Sequence, residues 1–117
     1  MKFIIDEPNM GKYSLNAFYA GMHYRKRKQI ADYWHALTRA ALREAGIPRH
    51  EDAGPWEVFM RFNDRLDIDN HGAVAKMVID GMKGWVWPDD SRRYIKTLTQ
   101  EFYPGRGMEV EFRRVKG

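Results

Sequence analysis

The run Asp67-Ile68-Asp69-Asn70 is the part of this sequence best suited to chemistry. In an extended segment, residues i and i+2 point to one face, so Asp67 and Asp69 aim two carboxylates together while Ile68 turns toward the core. Such a pair repels itself unless a cation lies between the two groups, which makes it a metal cradle. Asp89-Asp90, further along, offers a third carboxylate. Adjacent residues do not share one direction, so one of that pair is expected to reach the metal. Aspartates also cap helices and close turns, and that plainer reading stands beside the metal reading. An EF-hand is ruled out by the letters. Asp67-x-Asp69-x-His71-Gly72 starts like a calcium loop, but its twelfth position is Val78 where a bidentate Glu is required. His71 has no second histidine at a useful spacing and reads as a surface residue on a first helical turn.

Two groups of cations accompany the carboxylates. Arg25-Lys26-Arg27-Lys28 opens a helical stretch, where it can form a collar that contacts phosphates. Arg92, Arg93 and Lys96 directly follow Asp89-Asp90 and place positive charge beside the metal cradle. A solvated basic surface is the alternative for both groups. The wider charge pattern agrees with a polyanion partner. Segment 64–90 holds six acids and three cations, a net of −3, while the rest of the chain holds seventeen cations and ten acids, a net of +7. A basic shell around an acidic patch suits a protein that holds a divalent cation against a polyanion.

Composition narrows the chemistry further. The chain has no cysteine and four scattered histidines, which excludes disulfides, thiolate catalysis and sulfur-ligated zinc, so a metal here is held by oxygen. Its 117 residues, 44% of them hydrophobic, suit one domain with one core. No apolar run spans a bilayer, and Phe3-Ile4-Ile5 passes straight into Asp6-Glu7, so a soluble, cytoplasmic protein is expected.

The elements that must position these residues follow from periodicity. Lys2 to Ile5 reads as a short strand closed by Pro8, and residues 9–22 as a loop. Ile30, Trp34, Leu37 and Ala41 fall on one face of a helix near 24–45, which Gly46 and Pro48 end. Trp56, Val58, Met60 and Phe62 alternate with polar neighbours in a half-buried strand. A second helix starts from Asn70 as N-cap and buries Val74, Met77, Val78, Gly81 and Met82. The last two segments, 92–102 and 108–115, flank Tyr103-Pro104-Gly105-Arg106-Gly107, a turn signal that predicts a hairpin. The four tryptophans read as core, with base stacking as the alternative, since Trp85 and Trp87 flank the carboxylates in a loop. The order β-α-β-α-β-β predicts an α+β domain, a small mixed sheet with two helices packed against it.

Leu66-Asp67-Ile68-Asp69-Asn70, a following helix with Lys76 and Asp80, and then Trp87-Pro88-Asp89-Asp90-Ser91 together resemble the signature of the RusA family of Holliday junction resolvases. Pro8, Ser14-Leu15-Asn16 and Tyr19 are similar to that family's opening, and the resemblance spans most of the chain. It implies a homodimeric, Mg²⁺-dependent endonuclease (Mn²⁺ substituting) that resolves four-way DNA junctions in recombination and repair. On this resemblance Asp67, Asp69 and Asp90 hold the metal and Lys76 is the catalytic lysine. One departure stands out. The family's lysine comes about three residues sooner, where this chain has Ala73, which moves Lys76 about 4.5 Å along the axis on a nearly conserved face. Two alternatives follow: a RusA-like DNA-binding protein with little or no turnover, and a metal-dependent nucleotide hydrolase.

Overall fold

The computed structural model describes residues 1–7, 23–63, 72–89, 91 and 93–115. Its elements run β1 (Lys2–Ile5), α1 (Tyr24–Glu44), β2 (Trp56–Phe62), α2 (Gly72–Met82), β3 (Ile95–Phe102) and β4 (Met108–Arg114). The protein is α+β, with two helices packed on a four-stranded mixed sheet of order β1-β4-β2-β3. The loop expected at 9–22, its Pro8 stop and the Asn70 cap lie outside the described residues.

Alternation decides which face of the sheet is covered. Trp56, Val58, Met60 and Phe62 of β2 are buried together with Met108, Val110 and Phe112 of β4 and Phe3 and Ile5 of β1. Phe112 lies at the centre, with the rings of Phe3, Trp56 and Trp87 packed edge-on at 6.4, 5.5 and 6.2 Å. All four tryptophans belong to the core. Helix α1 buries Trp34 and Ala41 as its stripe requires, and also Thr38, whose hydroxyl donates to the Trp34 carbonyl (2.7 Å). Gly81 lets the helices approach there, because a Cβ at that position would sit 3.0 Å from Thr38.

The expected hairpin does not form. β3 pairs parallel with β2, and β4 pairs antiparallel with the other edge of β2, so β2 separates the two strands. Residues 103–107 carry the chain over the end of β2: Tyr103 N donates to Phe62 O (2.9 Å), Asn63 N to Gly107 O (3.3 Å) and the Asn63 side-chain amide to Gly105 O. Gly107 at φ 75° follows the approach to the Ile5 carbonyl, which a side chain would block. The turn signal is real, but β2 takes the central place because its Val58, Met60 and Phe62 are fully buried and need a neighbour on both sides.

The C-terminal ends of the helices lie together where β2 and β3 begin. Arg39 donates to the carbonyls of Gly81 and Lys83 (3.2 Å each), and Trp85 Nε1 to Ile47 O (3.0 Å). His50 N and Asp52 N reach the carbonyls of Trp85 and Val86 (2.9 Å each), and Trp56 N reaches Tyr94 O (2.7 Å).

Candidate functional site

Asp67, Asp69, Asp90 and Arg92 lie outside the described residues, as does His71. What the structure places is their setting: Asn63 just past the end of β2, the start of α2 at Gly72, and the segment from Lys83 to Asp89 that follows α2. By donor chemistry, three carboxylates without a thiolate fit a hard cation such as Mg²⁺. Among the described residues, no three His, Asp or Glu side chains come together as a metal site.

Lys76 is described, and its position is unusual for its helix. From Ala73 to Val78 every residue of α2 is buried except Lys76, which is exposed. Among the described residues, none of the ion pairs within 4.0 Å includes it. The i, i+4 pairing with Asp80 that the spacing permits is therefore not made. Position 73 differs in kind: Ala73 is 2% exposed, packed in the core. The expectation that Ala73 and Lys76 share a nearly common face is thus corrected. Three residues turn a helix by about 300°, and on α2 the remaining 60° crosses from core to solvent.

Asp89 faces Lys83 at 3.8 Å, both about half exposed, a contact worth little in stability. This pairing gives Asp89 a local partner at the end of α2. Beyond it, Arg93 lies exposed with its guanidinium 5.6 Å from the Tyr94 ring centre, and Lys96 is exposed on β3.

The first turn of α1 is electrostatically uphill. It carries Arg25, Lys26 and Arg27 and no acidic residue, and Lys28 follows at once. Each cation at a helix N-terminus opposes the macrodipole by about 0.3 to 1 kcal/mol. None of the four makes an ion pair among the described residues. His23 caps the turn, its Nδ1 accepting from Arg25 N (3.2 Å), which requires that nitrogen to carry no proton. The two cation groups are not side by side. Tyr94 O accepts from Trp56 N, which sets Arg93 and Lys96 by the start of β2, whereas the collar opens α1, and along α1 alone the collar lies roughly 24 to 28 Å from Glu44 at 1.5 Å per residue.

The chain matches no family model, no curated protein and no solved structure. The functional reading therefore rests on the residues themselves.

Sequence reasoning missed a polar cluster on the sheet. On the outer face of the sheet, Arg61 donates to Glu109 (2.6 Å) and Glu111 (2.8 Å), with Glu101 at 3.7 Å. The hydrogen bond from Arg61 is the main reason the Glu111 carboxyl lies below its ordinary range, and the bonds that Arg61 donates to Glu111 and Glu109 raise the guanidinium above its own. Register aligns these charges, since Arg61 pairs with Glu109 and Glu101 across neighbouring strands. The signal was present as alternating charge in 57–61 and 109–113, but only the strand order brings it to one place. A cavity of about 300 Å³ between Trp56, Phe112, Ile47 and Asp52 is likewise new. Its carboxylate is already committed, because Asp52 accepts from Gly54 N (2.9 Å) and pairs with Arg114.

Proposed function

We propose that the protein is a structure-selective endodeoxyribonuclease that cuts four-way DNA junctions by Mg²⁺-dependent phosphodiester hydrolysis, acting as a homodimer. The observation that carries this reading is the run from Leu66 to Ser91. Its carboxylates fall in the sequence segments before and after α2, and the helix between them exposes Lys76, which makes no ion pair among the described residues, on an otherwise buried stretch. A metal held by carboxylates together with a free ammonium is the combination of groups that phosphoryl chemistry uses.

In this reading Asp67, Asp69 and Asp90 supply the oxygens that hold Mg²⁺, which, when bound, makes water a better nucleophile and neutralises charge at phosphorus. The Lys76 ammonium donates to the non-bridging oxygens of the scissile phosphate as their charge grows. Arg25, Lys26, Arg27 and Lys28 contact the backbone, where phosphates relieve the unfavourable charge at the start of α1. Arg92, Arg93 and Lys96 provide a second set of contacts to the backbone. Paired cuts on a four-way junction need two sites related by a two-fold axis, hence two protomers.

A second reading is favoured by one observation. The position of the family's lysine is filled by buried Ala73, which suits a protein that binds branched DNA without turning it over. Cleavage of a synthetic four-way junction with Mg²⁺ and with EDTA separates the two, and nucleoside triphosphates in the same assay test a nucleotide hydrolase. Metal-dependent paired nicks support the endonuclease. Tight junction binding with no nicks supports the binding protein.

A further inference from the structure

β3 closes one edge of the sheet, and among the described residues no strand pairs with its outer side. Its register sets Leu98, Gln100 and Phe102 opposite Val58, Met60 and Phe62, so these three side chains lie on the same face as the core. Their environments differ sharply. Val58, Met60 and Phe62 are fully buried, whereas Leu98 is 38% and Phe102 61% exposed. The amide of Tyr103 points to β2, since it donates to Phe62 O. Backbone groups alternate along a strand, so the N–H and C=O groups of Phe102, Gln100 and Leu98 face the open edge. The side-chain oxygen of Gln100 is also buried, with no hydrogen-bond partner among the described residues.

We propose that the occupant of this edge is β3 of a second copy of this chain, paired antiparallel about Gln100 to make one continuous eight-stranded sheet. A two-fold axis perpendicular to the sheet keeps the helix-covered faces on the same side, so even-numbered residues meet even-numbered residues. Centring on Gln100 sets Leu98 against Phe102 of the partner subunit twice, an apolar pair at each end, with the two Gln100 amides able to bond each other between them. All the outward backbone groups of 98, 100 and 102 then exchange hydrogen bonds. Shifting the centre to residue 99 would put Lys96 against the exposed phenylalanine, and shifting it to 101 would set Glu101 against its own copy, a like-charge contact that destabilises a sheet. The proposal names the surface behind the two-protomer reading above and stands or falls separately from cleavage.

The absence of native cysteine makes the test clean. In this register the two Gln100 Cα atoms lie about 5.5 Å apart, while the two Lys96 positions are offset by eight residues, roughly 27 Å. Gln100→Cys should therefore cross-link to a covalent dimer with a short bis-maleimide, and Lys96→Cys should not. Phe102→Lys, at a solvent-exposed site that leaves the core intact, should weaken the dimer in sedimentation equilibrium by roughly a hundredfold, because two contacts are lost per dimer. Equal cross-linking from both cysteines, or an unchanged dimer in Phe102→Lys, overturns this interface. A monomeric parent does so too. Junction cleavage by a dimer that fails these tests would leave the nuclease reading intact, and a dimer that passes them without cleaving would leave the interface intact.

Discussion

Replacing Lys76 with alanine should separate rate from stability. Lys76 is exposed and pairs with no described acid, so truncation removes no contact that holds α2 in place. Surface substitutions of this kind fall within about 0.5 kcal/mol of neutral, and alanine is the better helix former by a few tenths. For a chain of this size that is a Tm change of at most about 3 °C, in either direction. The rate is a different matter. Loss of one donor to the charge developing on phosphate typically costs about 10² to 10³, or roughly 3 to 4 kcal/mol. Single-turnover cleavage of a four-way junction, measured beside thermal melting, reads both quantities on one preparation. A rate within about threefold of the parent would refute the catalytic role of Lys76. A Tm lower by more than about 5 °C would show instead that the side chain is structural, contrary to its exposure.

The same logic makes Ala73 informative. Ala73→Lys puts an ammonium into the core and should cost at least about 2 kcal/mol, seen as a lower denaturant midpoint, and should not restore cleavage to Lys76→Ala. Asp69→Asn should abolish Mg²⁺-dependent cleavage while junction binding, followed by fluorescence anisotropy, stays equal or tightens; full activity would remove Asp69 from the metal cradle. Lys26→Ala with Lys28→Ala should leave Tm unchanged or higher, since two cations leave the positive end of α1, yet lower the log–log salt slope of DNA binding by roughly 0.9 per lost contact; an unchanged slope would make the collar ordinary surface charge. The depressed Glu111 carboxyl contributes stability that is fully present above the ordinary carboxylate range and is lost as pH falls through its lower folded value. Melting of Glu111→Gln should accordingly be less sensitive to acid than that of the parent, and parallel acid limbs would contradict this.

Periodicity made the elements legible. The strands at 2–5 and 56–62 and the helix from Tyr24 lie where alternation and the 3.6-residue repeat put them, because those patterns record which side chains are buried. The buried stripe of α2, from Val74 to Met82, was equally readable. What local pattern does not record is which strands become neighbours. Residues 95–102 and 108–114 alternate equally well in a hairpin and in a sheet that admits β2 between them, and only the need to cover both sides of Met60 decides. The candidate site was legible as residue types, since carboxylate spacing and runs of cations are properties of the letters. Environment was not. Ala73 and Lys76, three positions apart, read as near-equivalent until the packing of α2 against α1 and the sheet set one in the core and the other in solvent.

The central claim is that this chain hydrolyses DNA at branch points with a divalent metal held by carboxylates. Incubating the purified protein with a labelled synthetic four-way junction, with Mg²⁺ and with EDTA, and resolving the products on a denaturing gel tests it most directly. The account predicts symmetrically paired nicks near the branch point that require Mg²⁺ and disappear in Asp69→Asn. An intact junction in Mg²⁺, at protein concentrations where the junction is fully bound, would contradict it.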